Sequence, residues 1–161
     1  MCARPIDDMA IAERAALIAR YLPDLSPRQG RCLAVIGRDE RPAPGTYLMR
    51  EGRPTLDLGV IVDGRLAVRD RIGRSDVTLM TLDPGDVFGW SAVLDGMSTA
   101  SIVADQGARV LLFDGAALRD AMEADGNLTL LLYRRLLEAV ARRLDATRML
   151  ARDVYAFRGG A

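Results

Sequence analysis

One segment constrains this chain more than any other. It reads Pro84-Gly85-Asp86-Val87-Phe88-Gly89-Trp90-Ser91-Ala92-Val93-Leu94 and continues through Ser98-Thr99-Ala100-Ser101-Ile102-Val103-Ala104. The Pro-Gly pair predicts a tight turn, and Val87-Phe88 a short apolar strand after it. Glycine and small residues then open a brief turn of helix. A Ser-Ile-Val-Ala run returns the chain to a sheet. Small residues let backbone approach a ligand closely, and the N–H groups that begin a helical turn attract phosphate.

The surroundings have the same character. From Arg41 to Phe113 short apolar runs alternate with Gly and turn residues, which predicts an all-β roll or barrel. Candidate strands cover 46–50, 58–62, 65–70, 77–82, 86–89, 100–104 and 108–113. Asp63-Gly64, between Val60-Ile61-Val62 and Leu66-Ala67-Val68, predicts a hairpin, because both turn positions tolerate positive φ.

Helical periodicity brackets the roll. Met9, Ala12, Ala16 and Leu17 recur at helical spacing over 7–20, with Asp7 or Asp8 as cap. A second short helix over 27–37 would carry Cys32, Leu33 and Ile36 inward. After the roll, 116–123 predicts a short helix with Asp114 as cap. Asn127 can cap the long Gly- and Pro-free helix that follows. From Leu128 to about Arg152 that helix would be roughly 40 Å long, more than one small roll can cover. The expected organisation is a helical segment over 1–40, a β-roll over 41–114, a short helix and break over 115–126, a long helix over 127–154 and a tail over 155–161.

Leu130, Tyr133, Leu137, Val140, Leu144, Thr147, Ala151 and Val154 follow alternating steps of three and four, a heptad seam that predicts helix pairing. Leu132, Leu136 and Ala139 form a second line beside it that can face the roll. A helix apolar on two faces needs two partners, its own roll and another copy. The alternative is a core helix in a monomer. Arg134, Arg135, Arg142, Arg143, Arg148 and Arg152 interleave with Glu138, Asp145 and Asp153, as on a solvated, salt-bridged surface.

Composition removes several function classes. The 22 basic and 22 acidic residues cancel, so no net field draws the chain to nucleic acid or an anionic membrane. No apolar run is long enough to span a bilayer, and the first ten residues lack a signal-peptide core. The chain has no histidine, which excludes a Ser-His-Asp arrangement and histidine-ligated metal. Gly89-Trp90-Ser91-Ala92-Val93 lacks the last glycine of a nucleophile elbow, and no base is present to activate Ser91. A catalytic role is therefore not expected. Cys2 and Cys32 make no disulfide framework and fit a reduced cytosol, although a pairing between them stays open.

The segment 84–104 resembles the phosphate-binding cassette of cyclic-nucleotide-binding domains in the catabolite activator (Crp/Fnr-like) superfamily. Gly45, Gly52, Gly64 and Gly85 sit where that family places its turn glycines, so the resemblance extends over 42–113. It implies a double-stranded β-helix, a jelly-roll-like β-roll with N-terminal helices and a long C-terminal dimerisation helix. The family pattern is Gly-Glu, a small-apolar turn, then Arg-Ser/Thr-Ala. Gly89 and Thr99-Ala100 keep it, but Trp90 replaces the ribose-binding acid and Ser98 the phosphate-binding arginine. By resemblance the ligand-binding positions are Gly89, Trp90, Ser91, Ala92, Ser98, Thr99 and Ala100. Ala141-Arg142-Arg143-Leu144 followed by Thr147 resembles the family's dimerising helix, which makes Thr147 and Arg148 candidate base contacts.

A cyclic nucleotide such as cAMP or cGMP would bind such a cassette weakly. Backbone N–H groups at 91–93 and 99, a displaced arginine (Arg50, Arg69 or Arg109), or stacking on Trp90 are the available rescues. Trp90 can equally be a plug, Ser98 and Thr99 a locally bonded turn, and Thr147 a tolerated seam residue. The expected function is a cytoplasmic, non-catalytic sensor module, a homodimer through Leu130, Tyr133, Leu137, Val140 and Leu144. Its partner would be a small molecule or a protein. The alternatives are a ligand-independent interaction module of the same fold, or the sensor fragment of a transcription regulator without its DNA-binding helices.

Overall fold

The computed structural model describes residues 8–73 and 75–158. Asp7, Cys2 and tail residues 159–161 lie outside them, and so does any pairing of Cys2. Two helices, α1 (Asp8–Tyr21) and α2 (Pro27–Ile36), lead into eight strands. These are β1 (Gly37–Glu40), β2 (Thr46–Met49), β3 (Asp57–Gly64), β4 (Leu66–Ile72), β5 (Ser75–Leu82), β6 (Val87–Phe88), β7 (Ser101–Ala104) and β8 (Ala108–Asp114). A 3-10 turn, Trp90–Leu94, joins β6 to the β7 side, and α3 (Gly115–Ala124) and α4 (Gly126–Arg158) complete the chain. Two antiparallel four-stranded sheets, ordered β1-β8-β3-β6 and β2-β7-β4-β5, form the expected β-roll with flanking helices.

Strand alternation builds two cores. In β3 and β8, Leu58, Val60, Leu111 and Phe113 face the helices. Ile61, Val110 and Leu112 face the roll interior with Phe88 and Leu66. Both faces are buried, so these strands read in sequence as continuous apolar runs. Gly59 is required by packing, since a Cβ there would sit 2.1 Å from Phe88 Cζ.

Several local expectations are corrected. Asp63-Gly64 is not a hairpin: β3 and β4 belong to different sheets, and the chain turns a corner at Gly64, whose φ is 76°. The hairpin is β4–β5, around Gly73, with Ile72 opposite Ser75. β1, of sequence Gly-Arg-Asp-Glu, carries no apolar signal because it is an edge strand held to β8 by backbone pairing. In α1 the buried face is Ile11 and Ile18, while Met9, Ala12 and Ala16 are exposed. Cys32 is exposed rather than inward, and Leu33 and Ala34 fill the core beside it.

The cap of α4 is Asp125, not Asn127. Asp125 Oδ1 accepts from Leu128 N at 3.0 Å, and Oδ2 accepts from Gln29 Nε2 at 3.0 Å. These bonds hold its carboxyl below the usual aspartate range. Asp125→Ala removes this cap and should therefore lower the urea midpoint at neutral pH. Because the folded pKa is depressed, the contribution is complete above the unfolded value of 3.8 and lost as pH falls through the folded one. Equal stability of variant and wild type at pH 7 would contradict this.

Along α4, Leu132, Leu136 and Ala139 are buried against the roll, as the second apolar line predicts, and Leu128 is buried with them. The seam residues stay in solvent, with Leu130 and Leu137 each 69% exposed and Leu144 49%. Ala151 and Val154 of the seam lie outside the described side chains. At 33 residues the helix is about 50 Å long and reaches past the roll.

Candidate functional site

The cassette positions occupy the 3-10 turn and the loop that leads from it into β7. Gly89 enters the turn with φ 74°, and its α-carbon is in close quarters. A Cβ there would meet Asp57 O at 2.3 Å and Met49 Cε at 2.2 Å. Only glycine takes this conformation in this space. Ala92 N donates to Gly89 O at 3.0 Å, closing the 3-10 turn, and Gly96 N donates to Ser91 O at 2.8 Å. Arg119 of α3 donates to Ala92 O and pairs with Asp95 at 3.4 Å, fixing the turn to the helical layer. Ser91 and Ala92 are buried.

The return limb is stitched to the loop after β2. Ser98 N donates to Arg53 O at 2.8 Å, Gly52 N to Ser98 O at 2.8 Å and Thr55 N to Gly96 O at 3.0 Å. The Ser98 hydroxyl donates to Ala100 O at 2.8 Å. Ser98, buried as it is, therefore has both its donors engaged, as in a locally bonded turn. Thr99 is exposed and Ala100 half-buried.

Trp90, half-buried, packs on the helix-facing core. Above its ring, at 4.5 Å from the centroid, lies the guanidinium of Arg143 from α4. Arg143 Nη2 also donates to Val87 O at 3.2 Å. Burial pulls this guanidinium below the usual arginine value, and Asp86 opposes the shift. Sequence periodicity put Arg143 on a solvated surface. Its neighbours Arg134, Arg135 and Arg148 do pair with Asp24, Glu138 and Asp145 there. Arg143 differs because α4 passes over the cassette at that turn, a contact with no signature in the helix itself.

The structure places Gly89, Trp90, Ser91, Ala92, Ser98, Thr99 and Ala100 in one loop region. It does not bring Thr147 or Arg148 to them within one chain. The Thr147 hydroxyl donates to Arg143 O at 2.9 Å, and Arg148 pairs with Asp145 at 3.9 Å, both inside α4. Of the displaced arginines, Arg69 pairs with Asp105 and Arg109 with Asp39, while Arg50 lies 3.8 Å over the Tyr47 ring. The guanidinium that does bond the cassette turn is that of Arg119, through Ala92 O, and the sequence reading missed it; Arg53 meets the return limb through its backbone carbonyl, which accepts from Ser98 N.

A cavity of about 100 Å³ lies between the roll and α4, lined by apolar side chains with Arg135, Glu138 and Arg142 among them. No group of three or more His, Cys, Asp or Glu able to hold a metal ion occurs among the described residues. No helix of the described residues is long and apolar enough to cross a membrane.

Solved structures share this architecture. A cyclic nucleotide-binding domain from Methylobacillus flagellatus KT superposes with a TM-score of 0.74 at 22% identity, over 90% of this chain and 85% of that one. The sensor domain of the transcriptional regulator DNR from Pseudomonas aeruginosa gives 0.67 at 17%, over 84% and 93%. The regulatory subunit of a cAMP-independent protein kinase A from Trypanosoma cruzi, bound to guanosine, gives 0.68 at 19%, over 81% and 47%. No curated protein matches the sequence. The family model for the cyclic nucleotide-binding domain matches residues 40–125, more than half of the chain, and the chain belongs to that family.

Proposed function

We propose that this chain is a non-catalytic, cytoplasmic regulatory module that works as a homodimer through α4 and takes a nucleotide-class ligand weakly or with altered specificity. The observation that carries the reading is the contact of Arg143 with Trp90, which ties the long helix to the cassette turn. A change at the turn then alters the seat of α4, and differential contact with two seats is what a sensor requires. Thr147, exposed one turn beyond Arg143, is the candidate base contact across the dimer axis, with Arg148 beside it.

The weak affinity follows from the side chains. Trp90 offers no acceptor to a ribose hydroxyl, and Ser98 offers no charge to a phosphate. One lost charge-assisted bond costs about 1.5–3 kcal/mol, roughly 10- to 150-fold in affinity. Calorimetry against cyclic AMP, cyclic GMP and cyclic di-GMP should give dissociation constants above about 10 μM. Tighter binding of cyclic AMP would overturn the weak-site reading and imply a replacement cation.

A second reading is favoured by the same contact. Arg143 holds α4 on the cassette through the chain's own side chains, so the fold can serve as a ligand-independent dimerisation or docking module. In that case no nucleotide binds at millimolar concentration and the dimer persists.

A further inference from the structure

We propose that the cavity between the roll and α4 is a binding site for a short apolar carboxylic acid, its hydrocarbon end in the void and its carboxylate on Arg142. Protein interiors leave few voids larger than a water molecule, and apolar voids stay dry and accept apolar guests. This one has about 100 Å³ of space beneath Leu58, Val60, Phe113, Leu118, Leu132 and Leu136. Its polar lining is nearly all engaged. The Tyr21 hydroxyl donates to Val62 O at 3.2 Å, and Arg135 pairs with Glu138 at 3.3 Å and with Asp24 at 3.7 Å.

Arg142 is the exception. It lines the same cavity, is exposed, and has no carboxylate within 4 Å among the described residues. One guanidinium pairs with one carboxylate through two parallel bonds, which fits an acid better than an alcohol or an amine. A void of this size with an open mouth suits a chain of about six carbons. Leu132, Leu136 and Arg142 belong to α4, so an occupant bears directly on the helix whose seam faces solvent. None of the lining residues falls within the cassette positions 89–100, so this site stands whether or not a nucleotide binds.

Hexanoate and 1-hexanol are the probes, read by thermal unfolding of the full chain. At ten times its dissociation constant hexanoate should raise the melting temperature by about 3–6 °C. Arg142→Gln should weaken hexanoate at least about 10-fold while leaving hexanol unchanged. Val87→Phe, at a half-buried position of the lining, should fill the void and abolish both responses. Leu22→Phe serves the same purpose if the first variant does not fold. Absence of any shift at millimolar concentration overturns the site, as does a hexanoate response that survives the filling variant. A hexanoate response untouched by Arg142→Gln overturns the carboxylate contact.

Discussion

Replacing Leu137 and Leu144 together with Glu should convert a dimer into monomers, halving the mass seen by light scattering. Both side chains are exposed on α4, on the face away from Leu132 and Leu136, and neither supports the roll's own core. Burying one leucine is worth about 1.5–3 kcal/mol, and the double change removes two from each chain. The loss exceeds many times over the roughly 1.4 kcal/mol that corresponds to a tenfold change in dissociation constant. Charges set against each other in a desolvated seam add repulsion. Because the changed positions face solvent in the single chain, the monomer should keep its far-UV spectrum, and its melting temperature should no longer depend on protein concentration. A wild type already monomeric at tens of micromolar would refute the seam.

The second large effect is a gain. Trp90→Glu with Ser98→Arg should tighten cyclic AMP binding at least about tenfold, the worth of one charge-assisted contact. The structure adds conditions to that expectation. A glutamate at position 90 would stand within reach of Arg143, which now sits over the indole ring, and Arg143 would compete with a ribose hydroxyl for the new carboxylate. An arginine at position 98 must leave a buried site and gives up the bond to Ala100 O, so the variant should lose about 1 kcal/mol of stability. The loop bonds from Ser98 N to Arg53 O and from Gly52 N to Ser98 O are backbone bonds and survive the change. Unchanged affinity in a folded double variant would show that more than two side chains separate this cassette from a nucleotide site, and the ligand-independent reading would replace the sensor.

The pattern from Arg41 to Phe113 specifies a β-roll locally, because turn glycines and short apolar runs act over a few residues, and these elements lie where expected. The capping box of α2, with Ser26 and Gln29 bonding each other, is equally local. Gly89 is legible for the same reason: a positive φ in tight quarters demands glycine whatever surrounds it. The heptad seam of α4 is legible because period survives without knowledge of the partner.

Other features depend on which surfaces meet, and no short window encodes that. The pair Asp63-Gly64 permits a reversal, but only the placement of β8 beside β3 makes it a corner between sheets. β1 exists because β8 offers an edge, not because Gly37–Glu40 favours a strand. The inward face of α1 is Ile11 and Ile18, since the helix lies against the larger apolar side chains and leaves Ala12 and Ala16 in solvent. Arg143 reads as one arginine among several along α4, and only the crossing of that helix over Trp90 makes it a cation held against an indole. The sequence by itself determined the strands β2 to β8, the places where the chain turns between them and an amphipathic helix, all set by local sterics and periodicity. The tertiary structure alone decided which helix residue meets the cassette and where a void remains, because both arise from surfaces far apart in the chain.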